Sequence, residues 1–375
     1  MNANIPPAEI GMLLKNVDTP ALLIDLDAFE QNLDHMAQRL EGTGVRFRPH
    51  AKTHKCPTVA LLQMARGAVG VCCQKVGEAE AMVYGGVRDV LVTNQIVGDS
   101  KIERLVSLAK QARIAVCADD PVHIEAYGKI AGVNNIELSV LVELNVGSNR
   151  CGVEPGEPVL KLARLIEETK GLRFGGLQAY QGGAQHLRTP EERAAAIQAA
   201  VDRVIDTTTH LTANGIACPV ITGAGTGTYR IEASSTIYTE LQAGSYIFMD
   251  VDYAKNLDTD GKPLKEFEHS LFIYSTIISK PTSDRAVLDA GHKAVPIDSG
   301  LPMVADMPDL EYAGASDEHG KLILKDPQRN IKIGDKLKLI PGHCDPTVNL
   351  FDWYVGIRNG RVESLWPITA RGALR

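Results

Sequence analysis

The stretch Val45-Arg46-Phe47-Arg48-Pro49, followed at once by His50-Ala51-Lys52, is the first of eight short apolar runs between Val45 and Tyr246. The runs are 45–49, 69–73, 89–93, 114–117, 138–144, 174–180, 219–222 and 240–244. Amphipathic stretches separate them, among them 57–66, 101–111, 158–169 and 190–214, where apolar residues recur every three to four positions and several stretches begin at proline. Strands and helices are therefore predicted to alternate along this part of the chain.

Eight strand–helix repeats favour a (β/α)8 barrel of the TIM type, because an open doubly wound sheet usually stops at about five or six strands. The open sheet is the structural alternative. In a barrel the active site forms at the carboxyl ends of the strands, and here these ends are polar. The candidate residues at the ends are Lys52, Gln74, Asn94, Asp119, Arg150, Tyr180, Ser245 and Tyr246.

The pattern changes after about Asp250, where apolar runs at 271–279, 285–289, 336–340 and 353–357 are separated by turns. Asn359-Gly360 lies between two such runs and predicts a tight hairpin, since both residues tolerate positive φ. We predict a mainly β C-terminal domain. The predicted limits are an N-terminal segment of residues 1–26 that packs on this domain, a barrel of residues 27–255 and the β domain of residues 256–375.

The composition indicates a protein that acts on small molecules. The chain has 375 residues and a formal net charge of -7, without a long basic run, which argues against nucleic acid or an anionic membrane as partner. Its seven cysteines form no spaced disulfide framework and favour a reducing compartment. Residues 1–16 lack the features of a signal peptide, and no apolar run is long enough to cross a bilayer, so a cytoplasmic location is expected.

A glycine-rich segment, Thr222-Gly223-Ala224-Gly225-Thr226-Gly227-Thr228, follows the seventh run, and Gly244-Ser245-Tyr246 follows the eighth. Barrel enzymes commonly bind phosphate at these two places through backbone N–H groups and hydroxyls, although a glycine-rich segment can also be a simple turn. Phosphate opposite Lys52 indicates pyridoxal phosphate, whose aldehyde forms a Schiff base with lysine. The alternative for Lys52 is an ordinary surface lysine.

Several motifs taken together resemble the fold-type III pyridoxal-phosphate enzymes, in the branch of the D-threonine aldolases and D-serine dehydratases. The resemblance covers nearly the whole chain. The motifs are Asp18-Thr19-Pro20, Arg48-Pro49-His50-Ala51-Lys52, Gly70-Val71-Cys72-Cys73-Gln74-Lys75, Gly147-Ser148-Asn149-Arg150-Cys151-Gly152, Gln178-Ala179-Tyr180-Gln181-Gly182, Thr222 to Gly227, Leu241 to Tyr246, Asp317-Glu318-His319-Gly320 and Pro341-Gly342-His343-Cys344-Asp345-Pro346-Thr347.

The resemblance implies an alanine racemase-like barrel followed by a β domain, and a homodimer with sites near the subunit interface. It implies that Lys52 forms the Schiff base, that Arg150 contacts the phenolic oxygen of the cofactor and that Gln74 and Tyr180 lie near its ring. For Arg150 a salt bridge at the barrel rim is the alternative. The other expected cofactor-binding residues are Thr222, Gly225, Thr226, Gly227, Ser245 and Tyr246.

His343-Cys344-Asp345 is a candidate metal motif, because two residues spaced by one position on an extended segment point to the same side. An imidazole and a carboxylate favour a hard cation, manganese first, with magnesium or cobalt as alternatives, whereas the dehydratase branch resembles a softer His-x-Cys pair suited to zinc. Two protein ligands leave positions open for water and substrate. Outside the family context a hydrogen-bonded loop pair is the alternative, and we expect Cys344 to be merely buried.

The resemblance implies retro-aldol cleavage of D-3-hydroxy-amino acids, with D-threonine giving glycine and acetaldehyde. We expect His186 as the general base, with His50 and His54 as rivals. The alternatives are a 3-hydroxy-D-aspartate aldolase, for which Arg188 or Arg230 could bind the second carboxylate, and a D-serine or D-3-hydroxyaspartate dehydratase acting by β-elimination. A racemase or a non-catalytic pyridoxal-phosphate carrier leaves the metal motif or the β domain unexplained.

Overall fold

The computed structural model describes residues 5–375. Eight parallel strands form one sheet in the order β2-β9-β8-β7-β6-β5-β4-β3. They are β2 (Arg46–Phe47), β3 (Val71–Cys73), β4 (Asp89–Gln95), β5 (Arg113–Ala118), β6 (Leu138–Glu143), β7 (Leu172–Gln178), β8 (Ile221–Gly223) and β9 (Glu240–Leu241). A parallel bridge between His50 and Cys72 joins the two ends of the sheet, so the predicted eight-stranded barrel is confirmed.

Helices on the outside of the barrel cover the outer faces of these strands. They are α2 (Pro57–Met64), α3 (Val76–Tyr84), α4 (Asp99–Leu108), α5 (Pro121–Val133), α6 (Glu157–Glu168), α7 (Pro190–Ala213) and α8 (Tyr229–Ser234). Four of them have proline in the first two positions, where the missing N–H costs nothing. The helices predicted at 57–66, 101–111, 158–169 and 190–214 are confirmed, with ends shifted by a few residues.

The barrel strands are apolar in continuous runs because both of their faces are buried. One face packs against the helices, while Cys72, Leu91, Cys117 and Leu141 form a separate small cluster. All seven cysteines are free, and Cys72 and Cys117 pack there as small apolar residues.

The C-terminal region is mainly β, as predicted. Its strands are β10 (Leu271–Ser279), β11 (Arg285–Leu288), β12 (Met303–Val304), β13 (Leu310–Ala315), β14 (Gly320–Leu324), β15 (Lys336–Ile340), β16 (Trp353–Arg358) and β17 (Arg361–Pro367), with one short helix, α9 (Cys344–Val348). Asn359 and Gly360 have φ of 49° and 70° in the turn between β16 and β17. The hairpin predicted from these two residues is therefore confirmed.

The N-terminal strand β1 (Ala21–Asp25) belongs to this second sheet, because it pairs antiparallel with β10 and parallel with β16. From it α1 (Leu26–Leu40) leads to the barrel. At the other end of the chain, Gly77 N donates to Arg375 O at 2.8 Å, so the C-terminus returns to the barrel at α3. The domain limits at residues 26 and 255 stay predictions. Among residues 5–375 no helix is long and apolar enough to span a membrane.

Candidate active site

Lys52 lies in the turn that follows β2 and forms an ion pair with Asp345, which lies 293 positions later in the chain. Burial alone would lower the pKa of Lys52, but the Asp345 carboxylate holds it above its usual value. Burial alone would likewise raise the pKa of Asp345, but the Lys52 ammonium and the His343 imidazole hold it well below its usual range. The first barrel strand and the late His-x-Asp motif therefore meet at one point.

A cavity opens at Lys52, at the carboxyl ends of the barrel strands. Seven of the predicted cofactor-binding residues line it, namely Lys52, Gln74, Arg150, Tyr180, Gly225, Thr226 and Ser245. The other lining residues are His50, Thr53, Thr93, Gln178, Ala224, Gln242, Gly244 and Tyr253. Residues from seven of the eight strand ends thus converge on one space, which is the arrangement expected of a barrel active site.

Three further predicted cofactor-binding residues, Thr222, Gly227 and Tyr246, do not line this cavity. The Thr222 hydroxyl is inside the barrel, where it accepts from Gln242 Nε2 at 2.8 Å. The Gly227 N–H donates to Gln185 Oε1 at 2.9 Å. The Tyr246 ring is buried, and its backbone N–H donates to Thr226 Oγ1 at 2.9 Å. These residues support the walls of the cavity from behind.

The glycine-rich segment presents backbone donors to the cavity. The N–H groups of Gly225 and Thr226 have no acceptor among residues 5–375. Behind them, a Cβ on Gly225 would lie 2.5 Å from the Gln185 side chain, so only glycine lets the segment pack this closely. Unpaired N–H groups at the mouth of a barrel are suited to an anion such as phosphate.

His50 and Gln74 belong to a buried hydrogen-bond network on one wall. The His50 Nε2 atom is 3.0 Å from Thr93 Oγ1 and 3.1 Å from Gln74 Nε2. Burial and the Lys52 ammonium hold the pKa of His50 well below 6.5, and burial lowers the pKa of His54 to about 3. Because the imidazolium form is disfavoured at both residues, neither is suited to accept a proton during the reaction.

Arg150 and Tyr180 lie together on another wall. The Arg150 guanidinium carbon is 5.9 Å from the centre of the Tyr180 ring, within the range of a cation–π contact. Burial raises the pKa of Tyr180, although the Lys52 ammonium opposes this. Both side chains therefore face the space beside Lys52, one as a fixed positive charge and the other as a neutral hydroxyl.

His186 lies at the edge of the site, with 55% of its side chain exposed. Its Nδ1 atom is 2.7 Å from Asp252 Oδ2, and its ring centre is 6.1 Å from that of Tyr253, which lines the cavity. Burial opposes the charge on Asp252, but hydrogen bonds from Arg188 and His186 hold its pKa below the usual value. A carboxylate with a lowered pKa thus orients His186 through its Nδ1 atom.

The expectation that His343 and Asp345 share an extended segment is wrong. His343 is the residue before α9, and Asp345 is in the first turn of that helix. Pro346 suits this turn, because the first turn of a helix needs no proline N–H. Cys344 is buried, as expected, and its N–H donates to Asp250 Oδ2 at 3.0 Å.

His343 nevertheless has the surroundings of a metal ligand. Its Nδ1 atom is 2.8 Å from Asp298 Oδ2, so Nε2 is the nitrogen it would offer to a cation, and ligating imidazoles are commonly held by a carboxylate in this way. The Asp345 carboxylate is close enough for His343 to lower its pKa. Within residues 5–375 no three His, Cys, Asp or Glu side chains form a metal cluster, so a cation here would have two protein ligands and open positions.

Arg188 and Arg230 occupy different places. Arg188 is on the rim, where its Nη2 atom is 2.5 Å from Asp252 Oδ1 and its Nη1 atom is 2.8 Å from Asn256 Oδ1. Arg230 lines a second cavity, of about 330 Å³, together with Glu266, to which it is ion-paired. That cavity does not contain Lys52, so Arg230 is outside the candidate site.

Sequence reasoning missed several residues of the site, including Tyr253, Gln178, Gln242 and Asp298. Tyr253 begins a short 3-10 helix and Asp298 lies in a turn, and no local pattern indicates their contacts with His186 and His343. Gln178 and Gln242 carried a signal that could have found them, because they lie inside the predicted runs 174–180 and 240–244. In the structure Gln178 is the last residue of β7, and Gln242 directly follows β9.

The residues present fit both groups that the sequence analysis predicts. For pyridoxal phosphate the cavity offers an amine at Lys52, a guanidinium at Arg150 and the unpaired N–H groups of Gly225 and Thr226. For a divalent metal, the imidazole of His343 and the carboxylate of Asp345 lie beside the cavity, where Asp345 contacts Lys52.

The sequence of this chain is similar to those of known proteins over nearly its whole length. Residues 24–252 match the family described as alanine racemase, N-terminal domain, and residues 270–357 match the putative serine dehydratase domain. A 3-hydroxy-D-aspartate aldolase of Paracoccus denitrificans is 45% identical over 98% of this chain and 95% of its own length. A D-threonine aldolase of an Arthrobacter species is 45% identical over 99% of this chain and 97% of its own length.

Solved structures of similar proteins have the same fold. The crystal structure of D-threonine aldolase from Filomicrobium marinum has a TM-score of 0.96 and 46% identity, and the match covers 99% of this chain and all of that one. The D-threo-3-hydroxyaspartate dehydratase from Delftia sp. HT23 has a TM-score of 0.84 and 27% identity, over 95% of this chain and 98% of its own. This chain therefore belongs to the fold-type III pyridoxal-phosphate enzymes, in the branch of the D-threonine aldolases, which are carbon–carbon lyases.

Proposed function

We propose that the protein cleaves D-3-hydroxy-amino acids by a retro-aldol reaction, with D-threonine giving glycine and acetaldehyde, and that it uses pyridoxal phosphate and a divalent metal. The observation that carries the proposal is the meeting of Lys52 with the His343–Asp345 motif at the barrel mouth. This brings the ligands for the metal next to the amine for the cofactor, at the edge of the cavity.

Lys52 supplies the amine to which the aldehyde of the cofactor attaches, and Gly225, Thr226 and Ser245 would hold the phosphate. When bound, pyridoxal phosphate supplies an electron sink for the negative charge left on Cα after the Cα–Cβ bond breaks. Arg150 places its positive charge on the same side of the cavity as Tyr180, where it would face the phenolic oxygen. Residues of several strands thus fix the cofactor's orientation.

His343 and Asp345 would hold the metal, which supplies positive charge that makes a nearby hydroxyl more acidic. Asp298 would orient the imidazole of His343 through Nδ1. Asp250, which accepts from Cys344 N and from Tyr253 N, ties the metal motif to the turn that carries Tyr253. The motif is therefore held rigidly against the cavity.

His186 is the proposed general base for the substrate's β-hydroxyl. Its Nδ1 is bound to Asp252, so Nε2 is the atom that would receive the proton. Asp252 would hold the ring in place, as the carboxylate partner of a catalytic histidine does. His50 and His54 are poorer bases, because burial opposes their charged forms.

The aldolase is favoured over the β-elimination of a dehydratase by the residue two positions after His343. The carboxylate of Asp345 is a hard ligand, and it also holds the Lys52 ammonium, whereas a thiolate favours zinc. The match to aldolases at 45% identity, against 28% for a D-threo-3-hydroxyaspartate dehydratase of Delftia, supports the same choice.

The finer features of the proposal are manganese as the metal, with magnesium or cobalt as substitutes, a homodimer and a cytoplasmic location. The imidazole–carboxylate ligand pair supports manganese. The absence of disulfides among residues 5–375 is consistent with a reducing compartment. Gel filtration with light scattering would test the dimer, and metal analysis of protein purified without a chelator would test the metal.

The reaction itself is tested with purified protein, pyridoxal phosphate, manganese and D-threonine. We expect glycine and acetaldehyde from the D-isomer only, with loss of product when a chelator is added. Lys52→Ala should abolish the reaction, whereas Lys110→Ala, an exposed lysine just beyond α4, should leave it unchanged. Formation of 2-oxobutyrate and ammonia instead would overturn the proposal in favour of the dehydratase.

A further inference from the structure

Lys255 carries an exposed ammonium group on the rim of the active-site cavity. It ends the short 3-10 helix Tyr253–Lys255, whose first residue lines the cavity. None of the ion pairs among residues 5–375 involves Lys255, and its one hydrogen bond is between its backbone N–H and Asp252 O. The side chain thus holds a positive charge beside the site without a structural partner.

This ammonium lies near the segment that carries the metal motif. Lys255 Nζ lies 3.7 Å from the point where a Cβ on Gly300 would be. Gly300 in turn packs directly on Gly342, since a Cβ on Gly342 would be only 2.1 Å from Gly300 O. Gly342 precedes His343, and Ser299 beside Gly300 contacts the His343 ring. Lys255 is therefore on the His343 side of the site.

The other cations around the site have partners or a role of their own. Arg188 is held by Asp252 and Asn256 through both terminal nitrogens. Arg150 lines the cavity beside Tyr180, where the proposed function assigns it to the cofactor, and Arg230 is ion-paired to Glu266 in a separate cavity. Of these four cations, Lys255 is the one with neither a structural partner nor an assigned role.

We propose that Lys255 is a specificity-determining residue that binds a carboxylate carried on Cβ of the substrate. The inference rests on the proposed function. If the β-hydroxyl is directed to His343 and Asp345 while Cα is held above Lys52, the remaining substituent on Cβ points outward along the His343 side, towards Lys255. The substrate class would then include, beside D-threonine, D-3-hydroxy-amino acids with a second carboxylate on Cβ.

The chemistry of that class matches the site. The Cα–Cβ bond breaks, its electron pair stays on Cα and later takes a proton to give glycine, and the hydroxyl proton leaves with the base. The Cβ fragment departs as an aldehyde that bears a carboxylate. An exposed lysine suits this leaving fragment, because its contact with an anion is weak enough to release it to solvent.

The test compares two substrates on the complete enzyme with cofactor and metal. For Lys255→Met we expect kcat/KM for D-3-hydroxyaspartate to fall about tenfold, mainly through KM, while kcat/KM for D-threonine stays within about twofold. Lys255→Arg should recover most of the loss. Lys262→Met, an exposed lysine in the loop that follows, is the matched control and should change neither value.

A non-reacting ligand gives an independent measurement. D-aspartate has the second carboxylate but no β-hydroxyl, so it should inhibit D-threonine cleavage competitively, with a Ki about tenfold higher in Lys255→Met. Equal losses for both substrates, or an unchanged Ki for D-aspartate, would overturn the role of Lys255. If the unmodified enzyme releases glycine from neither substrate, the proposed function itself fails, which distinguishes the two cases.

Discussion

Lys52 Nζ is hydrogen-bonded to the Asp345 carboxylate, and this contact joins the first strand of the barrel to the β domain. The two residues belong to different halves of the chain, yet each favours the charged form of the other. Asp345 raises the pKa of Lys52, and Lys52 lowers the pKa of Asp345. The proposed cofactor-binding amine and the proposed metal ligand are therefore electrostatically coupled. A substitution of either residue should change the pKa of the other.

Asp345→Asn should make Lys52 easier to deprotonate. The variant loses the carboxylate, which is the main group that raises the pKa of Lys52, while burial continues to lower it. We expect the pH midpoint for the attachment of pyridoxal phosphate to Lys52 to shift downward, as followed by absorption of the Schiff base. An unshifted midpoint would show that Asp345 does not control the amine.

His186→Asn should lower kcat for D-threonine by about a hundredfold or more, since the β-hydroxyl proton loses its acceptor. Asp252→Asn should have a smaller effect in the same direction, because His186 remains but its imidazolium loses a charged partner. Steady-state rates at saturating metal are the measurement. The matched control is His210→Asn, a histidine of α7 paired with Glu157 on the outer surface. If His186→Asn keeps its kcat within twofold, the base lies elsewhere.

Gly244→Ala should weaken cofactor binding. A Cβ at this position would lie 2.6 Å from Thr53 Oγ1 and 2.9 Å from the backbone oxygen of His50. The hydroxyl can rotate away but the backbone oxygen cannot, so the turn that carries Lys52 must move. We expect the Kd for pyridoxal phosphate, measured by equilibrium dialysis, to rise about tenfold or more, in line with the one to three kcal/mol typical of overpacking.

The control for this variant is Gly183→Ala, where the nearest atom to a new Cβ is at an ordinary 3.5 Å and φ is not positive. It should leave the Kd for the cofactor unchanged. Similar affinities for the Gly244 variant and the unmodified protein would mean that the turn adjusts without disturbing the site.

The barrel and the β domain were predictable because their signals are local and repeated. Continuous apolar runs predict strands buried on both faces, and these runs correspond to β2 to β9. The Asn359-Gly360 turn is likewise specified by two residues that tolerate positive φ. Such features need only the neighbouring sequence, so tertiary contacts do not overrule them.

The site residues that could be predicted are those whose place in the fold follows from the sequence around them. Lys52 and the glycine-rich segment lie at strand ends, so the barrel topology places them. Tyr253 and Asp298 depend on contacts between distant segments, and spacing along the chain does not encode those contacts. The extended geometry expected for His343 and Asp345 is not found, because a helix begins between them and its first turn accommodates Pro346.

Glu232→Gln should stabilise the protein at alkaline pH. Glu232 is buried on α8, where its Oε1 accepts from Thr228 Oγ1 at 2.8 Å and its Oε2 has no partner among residues 5–375. Burial raises the pKa of Glu232 to about 7, above the 4.5 of an exposed glutamate. The folded state therefore holds this proton more tightly than the unfolded state.

The sign of the pH effect follows from that difference. Below about pH 4.5 the carboxyl is protonated in both states, and between 4.5 and about 7 only the unfolded state releases the proton, so stability falls as the pH rises. Glutamine cannot ionise. The variant should therefore match the unmodified protein at pH 4.5 and exceed it at pH 8 by on the order of 1 to 3 kcal/mol, seen as a higher Tm. Glu103→Gln, an exposed position on α4, should show no such difference between the two pH values. A Glu232→Gln variant that loses stability at pH 8 would show that the charged carboxylate, rather than the protonated acid, is the form the fold accommodates.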